Sequence, residues 1–161
     1  MILHDNIHVL RAREDLYYYD TRSILLSAAT SPLEAWNLMV EGSHPFLRGA
    51  FWIRDTISSC FGVKRIGGFS PVQRHAVKVG DRLDFFLVEQ EEPDVLVLTV
   101  KDRHLDVMTC ISTRERRLTI TSPVVVHNWF GRVYMLPVGP AHKLIVNAML
   151  GRVKRRLEAK G

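Results

Sequence analysis

The period of the hydrophobic pattern changes several times along the chain, and each change marks an element. Residues 16–26 (LYYYDTRSILL) alternate well enough to predict a strand. Ser31-Pro32-Leu33-Glu34 then opens a short helix. Ser31 caps it, a first-turn proline loses no needed donor, and Glu34 completes a capping box. Leu33, Trp36, Met39 and Val40 share one face of this helix, and Gly42 closes it. A second short helix is expected from about Pro45, with Phe46, Ala50, Ile53, Ile57 and Cys60 as its buried stripe and Gly62 as its stop. The glycine- and proline-punctuated stretch 66–75 predicts a loop.

Strand patterns follow at 83–90, 95–101, 104–113 and 117–127, separated by turns at Glu91–Asp94 and Arg114–Arg116. Asn128–Gly131 predicts a further turn, and Arg132–Leu136 a last strand. Such short connections favour an antiparallel meander over a parallel sheet. After Gly139-Pro140, the face formed by Leu144, Ile145, Ala148, Met149, Val153 and Leu157 predicts a long terminal helix. A strand, two short helices near the N-terminus, four or five antiparallel strands and a long C-terminal helix define an α+β fold. With no internal repeat or linker, residues 1–161 read as one domain. In one version of this fold a curved sheet wraps around the long helix and leaves a cavity between them. That is the helix-grip arrangement of START domains and birch-pollen-allergen-like proteins.

Composition narrows the function classes. The chain has 161 residues, 47% hydrophobic and 24% charged, which is ordinary globular composition. The net charge of +5 is concentrated at residues 152–161, where Arg152, Lys154, Arg155, Arg156 and Lys160 face Glu158 alone. Basicity gathered at the end of a helix reads as a solvated helix terminus, with contact to an anionic surface as the minor alternative. A nucleic-acid binder spreads its cations along a face, so none is expected as a partner. Cys60 and Cys110 lie in apolar stretches without metal or redox spacing and read as buried thiols. No apolar run approaches the ~20 residues of a membrane span, and the N-terminus lacks a leader pattern. A cytoplasmic protein with no integral membrane segment is expected.

Four stretches carry a family resemblance: Arg54-Asp55 leading to Phe61-Gly62-Val63-Lys64; Asp102-Arg103-His104-Leu105-Asp106; His127-Asn128 with Gly131-Arg132-Val133-Tyr134; and Pro140-Ala141-His142-Lys143-Leu144-Ile145-Val146. Together they resemble the bacterial domain-of-unknown-function family 2867, over about residues 16–157, with the segment around His104 the most distinctive. The resemblance implies a helix-grip fold of the SRPBCC type and, by analogy, a small-molecule pocket. It implies no reaction. Members also occur fused behind a nucleotide-binding reductase-like domain, of which this chain shows no GxGxxG.

Candidate chemistry rests on few residues. His104 and Asp106, two apart on a predicted strand, emerge on one face, and Asp102 joins them if the strand begins early. They are candidates for a catalytic acid/base pair or the start of a metal site with His127 or His75. Against this, Leu105, Val107 and Ile111 would turn that face to solvent, while Met108 and Cys110 argue for partial cover. Arg132 and Tyr134, on one face of the expected last strand, are candidates to orient a ligand from a cavity floor, or else form an ordinary ion pair and a half-buried ring. His142 is expected exposed in the first turn of the last helix. Trp36 and Phe51 read as core residues that also touch a ligand where the short helices close the cavity.

No phosphate loop, nucleophile elbow or metal-ligand spacing is present, so neither cofactor nor metal is implied. The expected function is binding of a small, largely apolar or amphipathic molecule. The alternatives are an enzyme using the His/Asp pair, or an interaction module for a nucleotide-binding reductase. A homodimer through an open strand edge is a further expectation.

Overall fold

Strand-forming residues are densest between 82 and 126, and in the computed structural model this stretch is an antiparallel meander. The structure describes residues 12–41, 69 and 72–159, together with the backbone of 2–4 and 7–9. In chain order, β1 (Ile2–His4) and β2 (Ile7–Val9) pair as a hairpin, and a 3-10 turn spans Arg13–Asp15. Then come β3 (Tyr18–Leu25) and α1 (Pro32–Val40). The meander consists of β4 (Arg82–Leu83), β5 (Phe86–Glu92), β6 (Val95–Lys101), β7 (Leu105–Arg114) and β8 (Arg117–Val126), and α2 (Trp129–Glu158) follows.

The six-stranded sheet has the order β3-β8-β7-β6-β5-β4, antiparallel throughout, so β3 pairs with the last strand of the meander. Alternation along the strands gives the sheet two apolar faces. Phe86, Val88, Leu96, Leu98, Ile111, Leu118 and Ile120 meet Met39 of α1 and Val146, Met149, Leu150 and Val153 of α2. A smaller buried cluster, Val95, Val97, Met108 and Cys110, occupies the other face, and β2 lies against β7. Cys110 is the buried thiol expected. The fold is α+β, a curved antiparallel sheet with a long helix across it and a short helix near the N-terminus, consistent with the helix-grip arrangement.

Ser31 caps α1 as its spacing predicts, its hydroxyl accepting from Glu34 N at 3.2 Å, while the Glu34 carboxylate accepts from Thr30 at 2.9 Å. Gly42, Phe51, Cys60 and the expected second helix lie outside the described residues.

Four expectations need correction. The strand expected at 83–90 is interrupted at Asp84-Phe85, where Asp84 takes φ 57°, so β4 is only two residues long. The last strand expected at Arg132–Leu136 does not form, because Asn128 is the cap of α2 and not part of a turn. Asn128 is extended (φ −154°) and its side chain accepts from Gly131 N. Pro137 and Pro140 lie inside α2, and the carbonyls they leave without donors belong to exposed Val133 and Leu136, on the solvent side of the helix. The buried face of α2 is also shifted, with Leu144 and Ala148 exposed and Val146 and Leu150 inside.

The fourth correction concerns the basic tail. Arg152 is not part of a solvated terminus. It is buried, and its Nη1 donates to the carbonyls of Met39 (3.1 Å) and Glu41 (2.6 Å). It therefore satisfies the last turn of α1 from α2 and holds the two helices together.

Candidate functional site

The segment around His104 is a joint between two elements. β7 starts at Leu105, so His104 sits in the preceding bend and does not share a strand face with Asp106. Asp102 forms that bend, its Oδ1 accepting from the backbone of His104 (2.6 Å) and Leu105 (2.9 Å). Arg103 Nε donates to His104 Nε2 at 2.9 Å, which leaves Nδ1 to donate to Asn128 Oδ1 at 3.2 Å. Asn128 Nδ2 donates in turn to Arg103 O at 3.1 Å, and the imidazole lies edge-on to Phe130 at 4.6 Å.

Gly131 completes the closure. A Cβ there would stand 2.6 Å from His104 O and 2.8 Å from Val126 Cγ1, so only glycine lets the first turn of α2 approach this closely. Asp106 pairs with His127 across β7 and β8, Nε2 to Oδ1 3.1 Å, with both side chains partly exposed. His104, Asp106 and His127 are thus brought near one another, but as a hinge-pin with its hydrogen bonds made. Among the described residues, no group of three His, Cys, Asp or Glu side chains is placed to hold a metal ion, and His75 is exposed.

The other expected residues are dispersed. Arg132 and Tyr134 lie on α2, where two residues apart means nearly opposite sides of the helix. Arg132 is exposed, and Tyr134 packs half-buried with Leu105, Val124 and Met135. Trp36 is in the main core, edge-on to Phe69 (5.3 Å) and Phe86 (5.6 Å).

A second polar group, unanticipated from sequence, is enclosed where β3 and β8 pass beneath the middle of α2. Tyr18 donates its hydroxyl to Gly139 O at 3.3 Å, and its ring meets that of His142 at 6.0 Å, edge-on. Arg22 Nε pairs with Asp20 Oδ2 at 2.8 Å, while its Nη1 donates to Asn147 Oδ1 at 2.7 Å. Opposite Asp20 in the register stands Ser122, only 1% exposed. Neither Ser122 Oγ nor His142 Nδ1, both buried, has a hydrogen-bond partner among the described residues.

Electrostatics here favours neutral groups. Burial pushes the His142 pKa below the ordinary imidazole value, opposed by the Asp20 carboxylate and reinforced by the Arg22 guanidinium. The Tyr18 phenol is pushed up to about 12, by burial first and then by Asp20. Arg22 is compensated by Asp20. The enclosed polar cluster therefore presents a hydroxyl and a neutral imidazole, with no uncompensated charge.

One signal for this cluster was available in sequence: Tyr18, Asp20 and Arg22 repeat at period two, so three polar groups share one strand face. Nothing local points to Ser122, and His142, expected exposed in the first turn of the last helix, lies well inside α2 and is half-buried. Ser122 joins the cluster because β3 lies beside β8, and His142 joins it through Tyr18.

An α+β protein with a helix laid across a curved antiparallel sheet, and a half-satisfied polar cluster enclosed between them, is the class that fold and site define. Within that class, the chain belongs to the family described as Protein of unknown function (DUF2867), whose profile matches residues 12–149. No curated protein and no solved structure is significantly similar to it. No described helix is long and apolar enough to cross a membrane.

Proposed function

We propose that the protein binds a small, largely apolar molecule between the sheet and α2, with a neutral polar group of that molecule bonded to Ser122 Oγ and His142 Nδ1. The observation that carries this reading is that Ser122 Oγ and His142 Nδ1, on β8 and on the helix that crosses it, are two of the four buried side-chain atoms without a hydrogen-bond partner among the described residues. Each costs about 1–3 kcal/mol if left unpaired, and native proteins rarely retain such groups without something to satisfy them. A carboxylate or ammonium head would enter as an uncompensated charge, so the matching group is a hydroxyl, carbonyl or amide. Leu105, Val124 and Met135 with Tyr134 supply apolar surface at one end of this region, and Trp36 is assigned to the other. Arg132 and His104 take no part in it. The proposed compartment is the cytoplasm, where the Cys110 thiol stays reduced.

The test is native mass spectrometry of freshly purified protein, followed by denaturing extraction. A stoichiometric neutral compound with an apolar body is expected, retained by the parent protein and lost from folded Ser122→Ala and His142→Phe variants. Two results overturn the reading: an apo mass with no thermal shift across neutral amphiphiles, or full occupancy in both variants. A second reading, an enzyme using a His/Asp pair, gains one observation. His142 feels Asp20 electrostatically inside the same enclosure. Chemical change of the captured compound over time, abolished by Asp20→Asn, would distinguish it from binding alone.

A further inference from the structure

The solvent side of α2 is divided along its length. Over the first half, Trp129, Val133, Leu136 and Leu144 are 71%, 50%, 67% and 60% exposed, with exposed Pro140 between the last two. Spacings of four, three, four and four put these five groups in one continuous stripe. Tyr17, also exposed, borders it and donates its hydroxyl to Arg132 O at 3.5 Å. Scattered exposed apolar groups are normal, whereas five in register along one helix mark a contact surface.

Charge decides what the surface fits. Exposed Arg132 and Lys143 flank the stripe, exposed Lys154 and Arg155 extend the helix beyond it, Arg156 turns to Glu41 at 3.9 Å, and Glu158 is the only acid in α2. A two-fold pairing of this face would set a cation-bordered stripe against its own copy with no helix acid to compensate it. An anionic surface compensates it directly. Exposed tryptophan and tyrosine beside basic residues suit the boundary between headgroups and acyl chains.

We propose that this face of α2 docks on an anionic lipid bilayer. Trp129, Leu136 and Leu144 enter the headgroup boundary, and Arg132 and Lys143 meet lipid phosphates. The helix lies along the surface and does not span it. The proposal does not depend on the enclosed ligand site.

The test is co-sedimentation of the full chain with phosphatidylcholine vesicles, with and without phosphatidylglycerol. Partitioning about tenfold stronger to the anionic vesicles is expected, weakening as salt rises. Trp129→Ser and Leu136→Ser should each lower it roughly tenfold, and Arg132→Gln and Lys143→Gln about fivefold each. All four side chains are chosen for exposure, and unchanged thermal melts verify that the variants remain folded. Equal binding to both vesicle types overturns the proposal. So does anionic binding that survives Trp129→Ser and Leu136→Ser and is lost only in a Lys154/Arg155/Arg156 variant, which would assign it to tail charge alone. A dimer in light scattering that Leu136→Ser dissociates would assign the stripe to a second copy and also overturn it.

Discussion

Two polar groups lie under α2, and they are built on opposite terms. At its first turn, Asp102, His104 and Asn128 each make at least two hydrogen bonds, and a glycine is required for the approach. Beneath its middle, Tyr18, Asp20 and Arg22 are bonded but Ser122 and His142 keep buried atoms in reserve. The first group is the more distinctive in sequence, and its saturation marks it as structure. The second is inconspicuous in sequence, and its incompleteness is what the proposed ligand site rests on. Distinctive residues, on this evidence, can record what the fold needs and say little about chemistry.

The sharpest way to break the comparison is Gly131→Ala. A new Cβ would be driven against backbone, so a loss of about 2–3 kcal/mol is expected in chemical denaturation. A variant as stable as the parent would show the joint to be loose. Next in size is Asn128→Ala, which removes the cap of α2 and the tie to the Arg103 carbonyl together; about 2 kcal/mol should be lost.

His142 gives the second cluster a pH signature. Its folded pKa is depressed below the ordinary value of about 6.5, so the unfolded chain takes up a proton that the folded chain refuses. Stability should therefore rise with pH through the window below 6.5 and level off above it. His142→Phe should flatten that rise, and an unchanged slope in the variant would place the dependence elsewhere. The smallest effect is expected of Ser122→Ala. Removing a hydroxyl with no protein partner should leave ligand-free stability within about 1 kcal/mol of the parent, or raise it. A larger loss would show that Ser122 is bonded within the fold after all, and that the two groups differ less than their geometry implies.

Much of the fold is legible in the sequence wherever the signal is local. β6 matches its expected limits, β7 and β8 match within a residue, and Ser31 caps α1. The failures occur where local signals compete. Asn128, Gly131 and Pro140 each read as punctuation, yet one is a helix cap, one a packing contact and one lies on a solvent face. The site was less legible still. Period two places His104 and Asp106 together only if the strand includes residue 104, and β7 begins at Leu105. Asp106 finds His127 instead, across the β7–β8 pair. Arg152 looked like one more tail cation, because its acceptors, the carbonyls of Met39 and Glu41, are over a hundred residues away. Ser122 is hidden for the same reason, and His142 reads as an exposed first-turn residue only because the pattern starts the helix after Gly139-Pro140 and not at Trp129.

The pairing of β3 with β8 also bears on how the chain is born. Thr21 meets Thr121, and Ser23 meets Thr119, through hydroxyls 3.0 Å apart and about a hundred residues distant in sequence. At ~5–20 residues per second, β3 leaves the ribosome roughly 5–20 s before its partner does. The meander from β4 to β8 assembles from neighbouring hairpins as it emerges, but β3 and α1 wait for β8 and α2. Through that interval β3 is an open strand edge in a crowded cell. Faults along this seam should therefore reduce the yield of newly made protein more than the lifetime of finished molecules.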